Sequence, residues 1–129
     1  MTILRNGTYF GECIVDCNEE IAVTSEKVTY SLTSNVSDPD HPDVHADGAV
    51  AASEWHGLVG KIDWEALRSL PGAIGQPDMA DAGGEFVEVS DGAATRRVDL
   101  RLGATVPEVA PLLEALRELR ARLAAQNRR

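Results

Sequence analysis

The chain has 129 residues, 43% of them hydrophobic, and a formal net charge of −9 at pH 7. This length and apolar content indicate one α+β domain, placed at residues 1–126, with a disordered tail at 127–129. Residues 1–95 carry 17 acidic and four basic residues, a net charge of −13, which excludes nucleic acid as a favoured partner.

The N-terminal part favours short strands. Thr2-Ile3-Leu4-Arg5 predicts a strand, and Asn6-Gly7 predicts the turn that ends it. Residues 20–34, EIAVTSEKVTYSLTS, alternate apolar and polar residues on both sides of Ser25-Glu26-Lys27. The alternation predicts two antiparallel strands that each bury one face.

Cys13 and Cys17 are the two cysteines of the chain and lie in the stretch GECIVDC. In a straight strand, residues four apart are separated by ~13 Å, so only a bend could bridge them. A structural zinc site needs a second close pair of ligands. The spacing favours buried thiols without a catalytic role and leaves a disulfide across a tight loop open.

Residues 35–50, NVSDPDHPDVHADGAV, predict a long loop, because two prolines and several turn formers interrupt any periodicity. The next helix is predicted to start at Ser53 as N-cap. Asp63 is predicted to cap a second, short helix that ends at Pro71-Gly72. Residues 73–84 predict another loop.

The last elements are two strands, at 85–89 and 96–102, and a helix. Asp91-Gly92 predicts the turn between the strands. Thr105 and Glu108 have capping-box spacing, and a leucine stripe follows along residues 109–123. Together the elements predict an α+β fold with a four- to five-stranded antiparallel sheet and two helical segments packed on one face.

No targeting or membrane segment is evident in the sequence. Met1 is not followed by the apolar core of a signal peptide, and no apolar run approaches the ~20 residues that span a membrane. We therefore expect a cytoplasmic protein without membrane contact, in which thiols stay reduced.

The histidines offer an alternative function. His41 and His45 lie in the stretch HPDVH among several aspartates, and with Cys13 and Cys17 they could form a metal-binding module. The aspartates do not have calcium-loop spacing, and a proline follows His41. A solvated acidic loop is the favoured interpretation, and no cofactor is expected.

No catalytic signature is present. A serine–histidine–acid order, a phosphate loop and a dinucleotide fingerprint are all missing from the sequence, so we expect a protein that is not an enzyme. The stretch 75–89, GQPDMADAGGEFVEV, predicts a tight loop whose aspartates bind its own amides, or a shaped edge for a partner. The leucine stripe leaves a structural or assembly role open, as a monomer or a weak homodimer.

Several motifs resemble known proteins. FGEC, EALRSLP, PDMADAGGEFVEV and PLLEALREL resemble a group of small uncharacterised bacterial proteins, in which a cysteine often stands at the position of Met79. The order of elements, with GTYFGE, GEFVEVSDGAATRRVDL and VPEVAPLLEALREL, is also similar to emfourins. Emfourins are small protein inhibitors of thermolysin-type metallopeptidases.

These features predict a small domain that binds another protein. The resemblance to emfourins implies, more specifically, an inhibitor or regulator of a peptidase. The loops at 35–50 and 73–84 are the candidate contact surfaces, because their carboxylates suit a basic rim or a metal-bearing cleft. The candidate partner-binding residues are Asp38, Asp40, Asp43, Asp47, Asp78 and Asp81.

Overall fold

A computed structural model describes residues 1–79 and 82–127 and shows an α+β fold. The strands are β1 (Ile3–Tyr9), β2 (Asn18–Val23), β3 (Lys27–Thr33), β4 (Val44–Ala49), β5 (Ala73–Ile74), β6 (Gly84–Ser90) and β7 (Thr95–Arg101). They form one sheet in the order β4-β3-β2-β1-β6-β7-β5. All neighbours are antiparallel except β5 and β7, which are parallel.

The helices cover one face of this sheet. They are α1 (Ala52–Val59), α2 (Trp64–Ser69) and α3 (Ala110–Asn127), and a 3₁₀ turn at Pro107–Val109 precedes α3. Helix α3 packs against β1 and β3, and its buried leucines are Leu112, Leu113, Leu116, Leu119 and Leu123. The leucine stripe therefore fills the core of the chain and is not exposed for assembly.

The α+β class agrees with the sequence prediction, but the details differ. The sheet has seven strands and is mixed, where four to five antiparallel strands were expected, and three helices are present where two were expected. The additional strands β4 and β5 lie inside the two segments predicted as loops. Alanine and glycine occupy half of β4, so its alternation carries little hydrophobic signal.

The predicted Asn6-Gly7 turn is wrong, because both residues lie within β1. Gly7 is opposite Phe86 of β6, and a Cβ at Gly7 would be 2.7 Å from the Phe86 ring. Glycine is required there by close packing and not by a turn. Asn6 is buried and donates a 2.8 Å hydrogen bond to the Phe86 carbonyl.

Helix and hairpin boundaries were partly predicted. The hairpin of β2 and β3 is confirmed, and Asp63 caps α2 by accepting a hydrogen bond from the Ala66 amide at 3.0 Å. The predicted caps at Ser53 and Thr105 are wrong, since neither side chain caps its helix. Asn127, expected in a disordered tail, belongs to α3.

A buried ionic cluster joins α3 to the sheet. Glu85 of β6 is 1% exposed and receives two hydrogen bonds from Arg117, at 2.8 and 2.5 Å, and one from Arg120 at 3.2 Å. Arg120 also donates to Asn6. Burial alone would raise the pKa of Glu85, but the hydrogen bonds from Arg117 and Asn6 and the charges of both arginines outweigh burial, so the pKa is lowered.

Candidate functional site

The register of the sheet brings three connections to one end, here called the loop end. Tyr9 pairs with Asn18 and with Gly84, and Asn18 pairs with Thr33, so these strands all end or begin at the same level. The connections are the disulfide loop (10–17), the acidic loop (34–43) and the β5–β6 loop (75–79 and 82–83). Residues far apart in sequence thus form one surface.

The two cysteines form a disulfide within the first of these loops. The Cα atoms of Cys13 and Cys17 are 5.6 Å apart, because the chain bends sharply between them. Asp16 has a left-handed backbone conformation, with φ of 53°, at this bend. The favoured interpretation of buried thiols is therefore wrong for this structure, the disulfide that was left open is present, and Cys13 and Cys17 are not available together as metal-binding thiolates.

Asn35 of the acidic loop braces the disulfide loop. Its side-chain amide lies 2.9 Å from the Phe10 carbonyl oxygen, 3.3 Å from that of Gly11 and 3.0 Å from that of Cys13. The backbone amides of Asn35 and Val36 both donate to the Ile14 carbonyl, at 3.0 and 3.1 Å. The disulfide loop is thus fixed by a covalent bond and by its neighbour.

Asp78 fixes the β5–β6 loop to the same assembly. Its carboxylate accepts hydrogen bonds from the Gly11 amide at 2.8 Å and from the Gly83 amide at 3.1 Å. Gly83 has a φ of +83°, which favours glycine. Asp78, one of the predicted partner-binding residues, therefore holds two loops together; the tight-loop interpretation expected the bond within its own loop, from Gly83, but not the bond from Gly11.

Aromatic rings cover the paired glycines at the start of β6. A Cβ at Gly83 would be 2.4 Å from the Phe10 ring, and one at Gly84 would be 2.4 Å from the Tyr9 ring. The Tyr9 hydroxyl donates to Asp99 at 3.0 Å. Burial and this hydrogen bond to a carboxylate raise the pKa of Tyr9 to about 12.

Exposed apolar side chains are concentrated at the loop end. Of the six large hydrophobic residues that are exposed in the described parts of the chain, four lie here: Ile14 (62%), Val36 (56%), Met79 (59%) and Leu102 (39%). Ile14 and Val36 are adjacent, because the Val36 amide binds the Ile14 carbonyl. We call Ile14 and Val36 the apolar pair.

The aspartates predicted as partner-binding residues have different environments. Asp38 accepts a hydrogen bond from the Asp40 amide at 2.9 Å and Asp43 accepts one from the Ser34 amide at 3.3 Å, so both shape the acidic loop. Asp40 is exposed next to them, and Asp47 lies on β4. Asp81 lies outside the described residues.

Asp38, Asp40 and Asp43 follow Val36 in the acidic loop, and Glu12 precedes Ile14 in the disulfide loop, so both loops that carry the apolar pair also carry carboxylates. A depression of about 230 Å³ in the acidic loop is lined by Ser34, Ser37, Asp38, His41, Pro42 and Asp43. The His41 ring nitrogen Nδ1 lies 3.4 Å from Asp38. Such a depression suits a cationic side chain from a partner.

The four residues of the metal-binding alternative are not assembled into a site. Cys13 and Cys17 are bonded to each other, His41 lies in the acidic loop, and His45 lies on β4. Within residues 1–79 and 82–127, no group of three or more histidines, cysteines and acids is arranged to hold a metal ion.

A second concavity lies away from the loop end, between α1 and α3. It has a volume of about 230 Å³, and small residues, Gly57 and Ala115, form part of its lining. Glu54 on its rim is held by Arg122 through hydrogen bonds of 3.1 and 3.0 Å. One of the two acids that line it, Glu54, is thus engaged in an exposed ion pair.

The loop end could be predicted only in part. The acidic loop and Asp78 were singled out in the sequence, whereas the apolar pair and the brace from Asn35 were missed. An asparagine within a polar loop carries no distinctive signal in the sequence.

Comparisons with protein-family models and with curated protein sequences find no match to this chain. The resemblance to emfourins and to small bacterial proteins stays a prediction. Among the helices of the described residues, none has the length and apolar character needed to cross a membrane.

Proposed function

We propose that this chain is a non-catalytic domain that binds another protein through the loop end. The observation that supports the proposal most directly is the apolar pair: Ile14 is exposed on the disulfide loop, Val36 is exposed on the acidic loop that braces it, and both loops also carry carboxylates. An exposed apolar patch with a polar rim is typical of a protein interaction site. A pre-formed loop also loses little conformational entropy on binding.

The partner that suits this surface has an apolar pocket with a basic rim. Ile14 and Val36 would fill the pocket, and Asp40 with the depression beside it would meet lysine or arginine side chains. A peptidase regulated by this domain is the specific form of the proposal, and it rests on the resemblance to emfourins.

The geometry limits how a peptidase could be bound. The Ile14 carbonyl already accepts two backbone hydrogen bonds from the acidic loop. It is therefore turned toward its own scaffold, whereas a substrate presents its scissile carbonyl to the enzyme. We propose that side chains of the loop end contact the peptidase and that the peptide bond between Ile14 and Val15 is not cleaved.

A pair of matched variants tests the proposal. Val36→Ser removes an exposed valine at the loop end, and Val59→Ser removes one that is 37% exposed on α1. We expect Val36→Ser to weaken a complex recovered from the host by about tenfold, because a buried valine contributes ~1.5 kcal/mol or more. Val59→Ser should bind as the unmodified chain does.

Inhibition assays test the peptidase form separately. The purified chain is titrated into a thermolysin-type metallopeptidase, with Val36→Ser and Val59→Ser alongside. Inhibition lost in Val36→Ser alone supports this form. Equal binding and equal inhibition by both variants would remove the loop end as the contact surface.

A further inference from the structure

Strand β4 forms one edge of the sheet, and its register shows which backbone groups face outward. The Thr24 amide donates to the Lys27 carbonyl at 2.9 Å, which makes this a hydrogen-bonded pair of the β2–β3 hairpin. Such pairs alternate along an antiparallel ladder, so the even-numbered residues of β3 point to β4 and pair with its even-numbered residues. The N–H and C=O groups of His45, Asp47 and Ala49 therefore point away from the sheet.

This edge lacks two of the features that normally protect sheet edges, a proline and a bulge. Residues 44–49 contain no proline, and the β3–β4 register runs without a bulge from Lys27 to Leu32. The opposite edge, β5, has only two residues. Three alternate residues of β4 thus present backbone N–H and C=O groups to which an added strand can bind, next to the acidic loop.

We propose that β4 accepts an extended, basic segment of the partner protein as an additional antiparallel strand. This inference rests on the proposed function and names the part of the partner that the domain recognises. In strand addition the main chain supplies affinity and alternate side chains supply specificity. The edge and the loop that leads into it carry Asp40, Asp43 and Asp47, which favour lysine or arginine in the incoming strand.

The contacts of Asp47 fit this role. Its carboxylate lies 3.6 Å from Lys27, and both side chains are about 60% exposed. An ion pair with that exposure contributes little and opens readily, so a cation from an added strand can replace or share it. On the helical side, Val44, Ala46 and Gly48 are half-buried, so apolar side chains of the added strand would lie beside the edge of the core.

A second copy of this chain fits the edge less well. The symmetric register that pairs all three outward-facing residues of both copies sets Asp47 opposite Asp47, and a register that pairs two of them sets Asp47 opposite His45 or Ala49. Either register joins two chains that each carry a net charge of −9. Like charges directly opposite each other destabilise a strand pair. A basic, extended partner segment avoids both costs.

The test uses a fluorescent peptide of about ten residues that alternates lysine and valine, a length typical of strands. A peptide with glutamate in place of lysine is the control. We expect saturable binding of the lysine peptide alone, measured by anisotropy. Asp47→Lys should weaken it about fivefold, as the favourable cross-strand pair becomes a like-charge pair.

A proline substitution shows whether the backbone is involved. Ala49→Pro removes an outward N–H without removing a hydrogen bond to β3, and should weaken peptide binding about tenfold while leaving the melting temperature unchanged. Ala51→Pro is the matched control, since Ala51 lies beyond the strand with a φ of −68° that suits proline. In amide exchange by NMR, peptide binding should newly protect the amides of His45, Asp47 and Ala49.

Three results would overturn the inference: equal peptide affinity of Ala49→Pro and Ala51→Pro, protection of other amides instead, or a dimer formed through β4 without peptide. Its failure is distinguishable from that of the proposed function. A partner complex that is weakened by Val36→Ser but not by Ala49→Pro removes the edge and leaves the loop end in place.

Discussion

Replacing Asn35 by alanine should loosen the disulfide loop. The side-chain amide carries two hydrogens but faces three carbonyl oxygens, so it makes two good hydrogen bonds, at 2.9 and 3.0 Å, and shares a weaker one at 3.3 Å. Its oxygen also accepts a 3.0 Å hydrogen bond from Asn18. At about 0.5 kcal/mol each, the low end of the range for a net hydrogen bond, the two good donated bonds and the bond from Asn18 are together worth about 1.5 kcal/mol.

Urea denaturation measures this loss. We expect Asn35→Ala to lower the free energy of unfolding by about 1.5 kcal/mol with an unchanged m-value. Asn35→Asp should lower it further, because the carboxylate still accepts from Asn18 but turns an oxygen toward three carbonyls. Asn127→Ala, which removes a single hydrogen bond to Leu123 in α3, is the control and should cost about 0.5 kcal/mol.

The reasoning is wrong if Asn35→Ala unfolds as the unmodified chain does, or if Asn35→Asp is the milder change. The same variant also examines the proposed function. A loosened loop must be ordered when a partner binds, so Asn35→Ala should weaken the complex although no contact atom at the apolar pair is removed.

Three further predictions concern the scaffold. Glu85→Gln should lower the free energy of unfolding by about 3 kcal/mol at neutral pH, since it leaves two cations without their buried counter-ion. The pKa of Glu85 is lowered from 4.5, so its contribution to the free energy of unfolding is full above pH 4.5 and is lost as the pH falls. Unfolding curves of the variant and the unmodified chain should therefore converge as the pH is lowered. The pKa of Tyr9 is raised from 10.0 to about 12, so its contribution to the free energy of unfolding is full below pH 10 and is lost as the pH rises toward 12. The phenolate absorbance that Tyr9→Phe removes should therefore titrate near pH 12. A midpoint near pH 10 would contradict the hydrogen bond from Tyr9 to Asp99. Replacing both Cys13 and Cys17 by serine should lower the free energy of unfolding in urea by about 2 kcal/mol, because a disulfide with a sequence separation of 4 restricts the unfolded chain by about that much. An unchanged free energy of unfolding would mean that the disulfide does not stabilise the fold.

The sequence predicted elements in which one physical signal dominates. The β2–β3 hairpin was predicted because Ile21, Val23, Val28, Tyr30 and Leu32 alternate without interruption, and all five are buried. The core role of the α3 leucines followed in the same way from helical spacing. In these segments local pattern and tertiary packing agree.

The elements that were missed depend on contacts between distant residues. Asn6-Gly7 has the composition of a turn, yet it lies in a strand because Glu85, Phe86 and Arg120 supply its partners. The conformational preference of a short segment does not reflect a hydrogen bond to a residue 80 positions away, so it could not predict that Asn6 lies in a strand. Likewise, the strand order that gathers three loops at one end is fixed by pairing, which no single segment encodes.

The clamps from Asn35 and Asp78 bear on any attempt to transplant this surface. Each of the three loops is anchored by a side chain or an amide from another, so none keeps its shape when moved alone to a recipient scaffold. An engineer who wants the exposed isoleucine must carry over all three segments together with the strand ends that space them. Random libraries should accordingly spare these two side chains and vary the exposed positions between them.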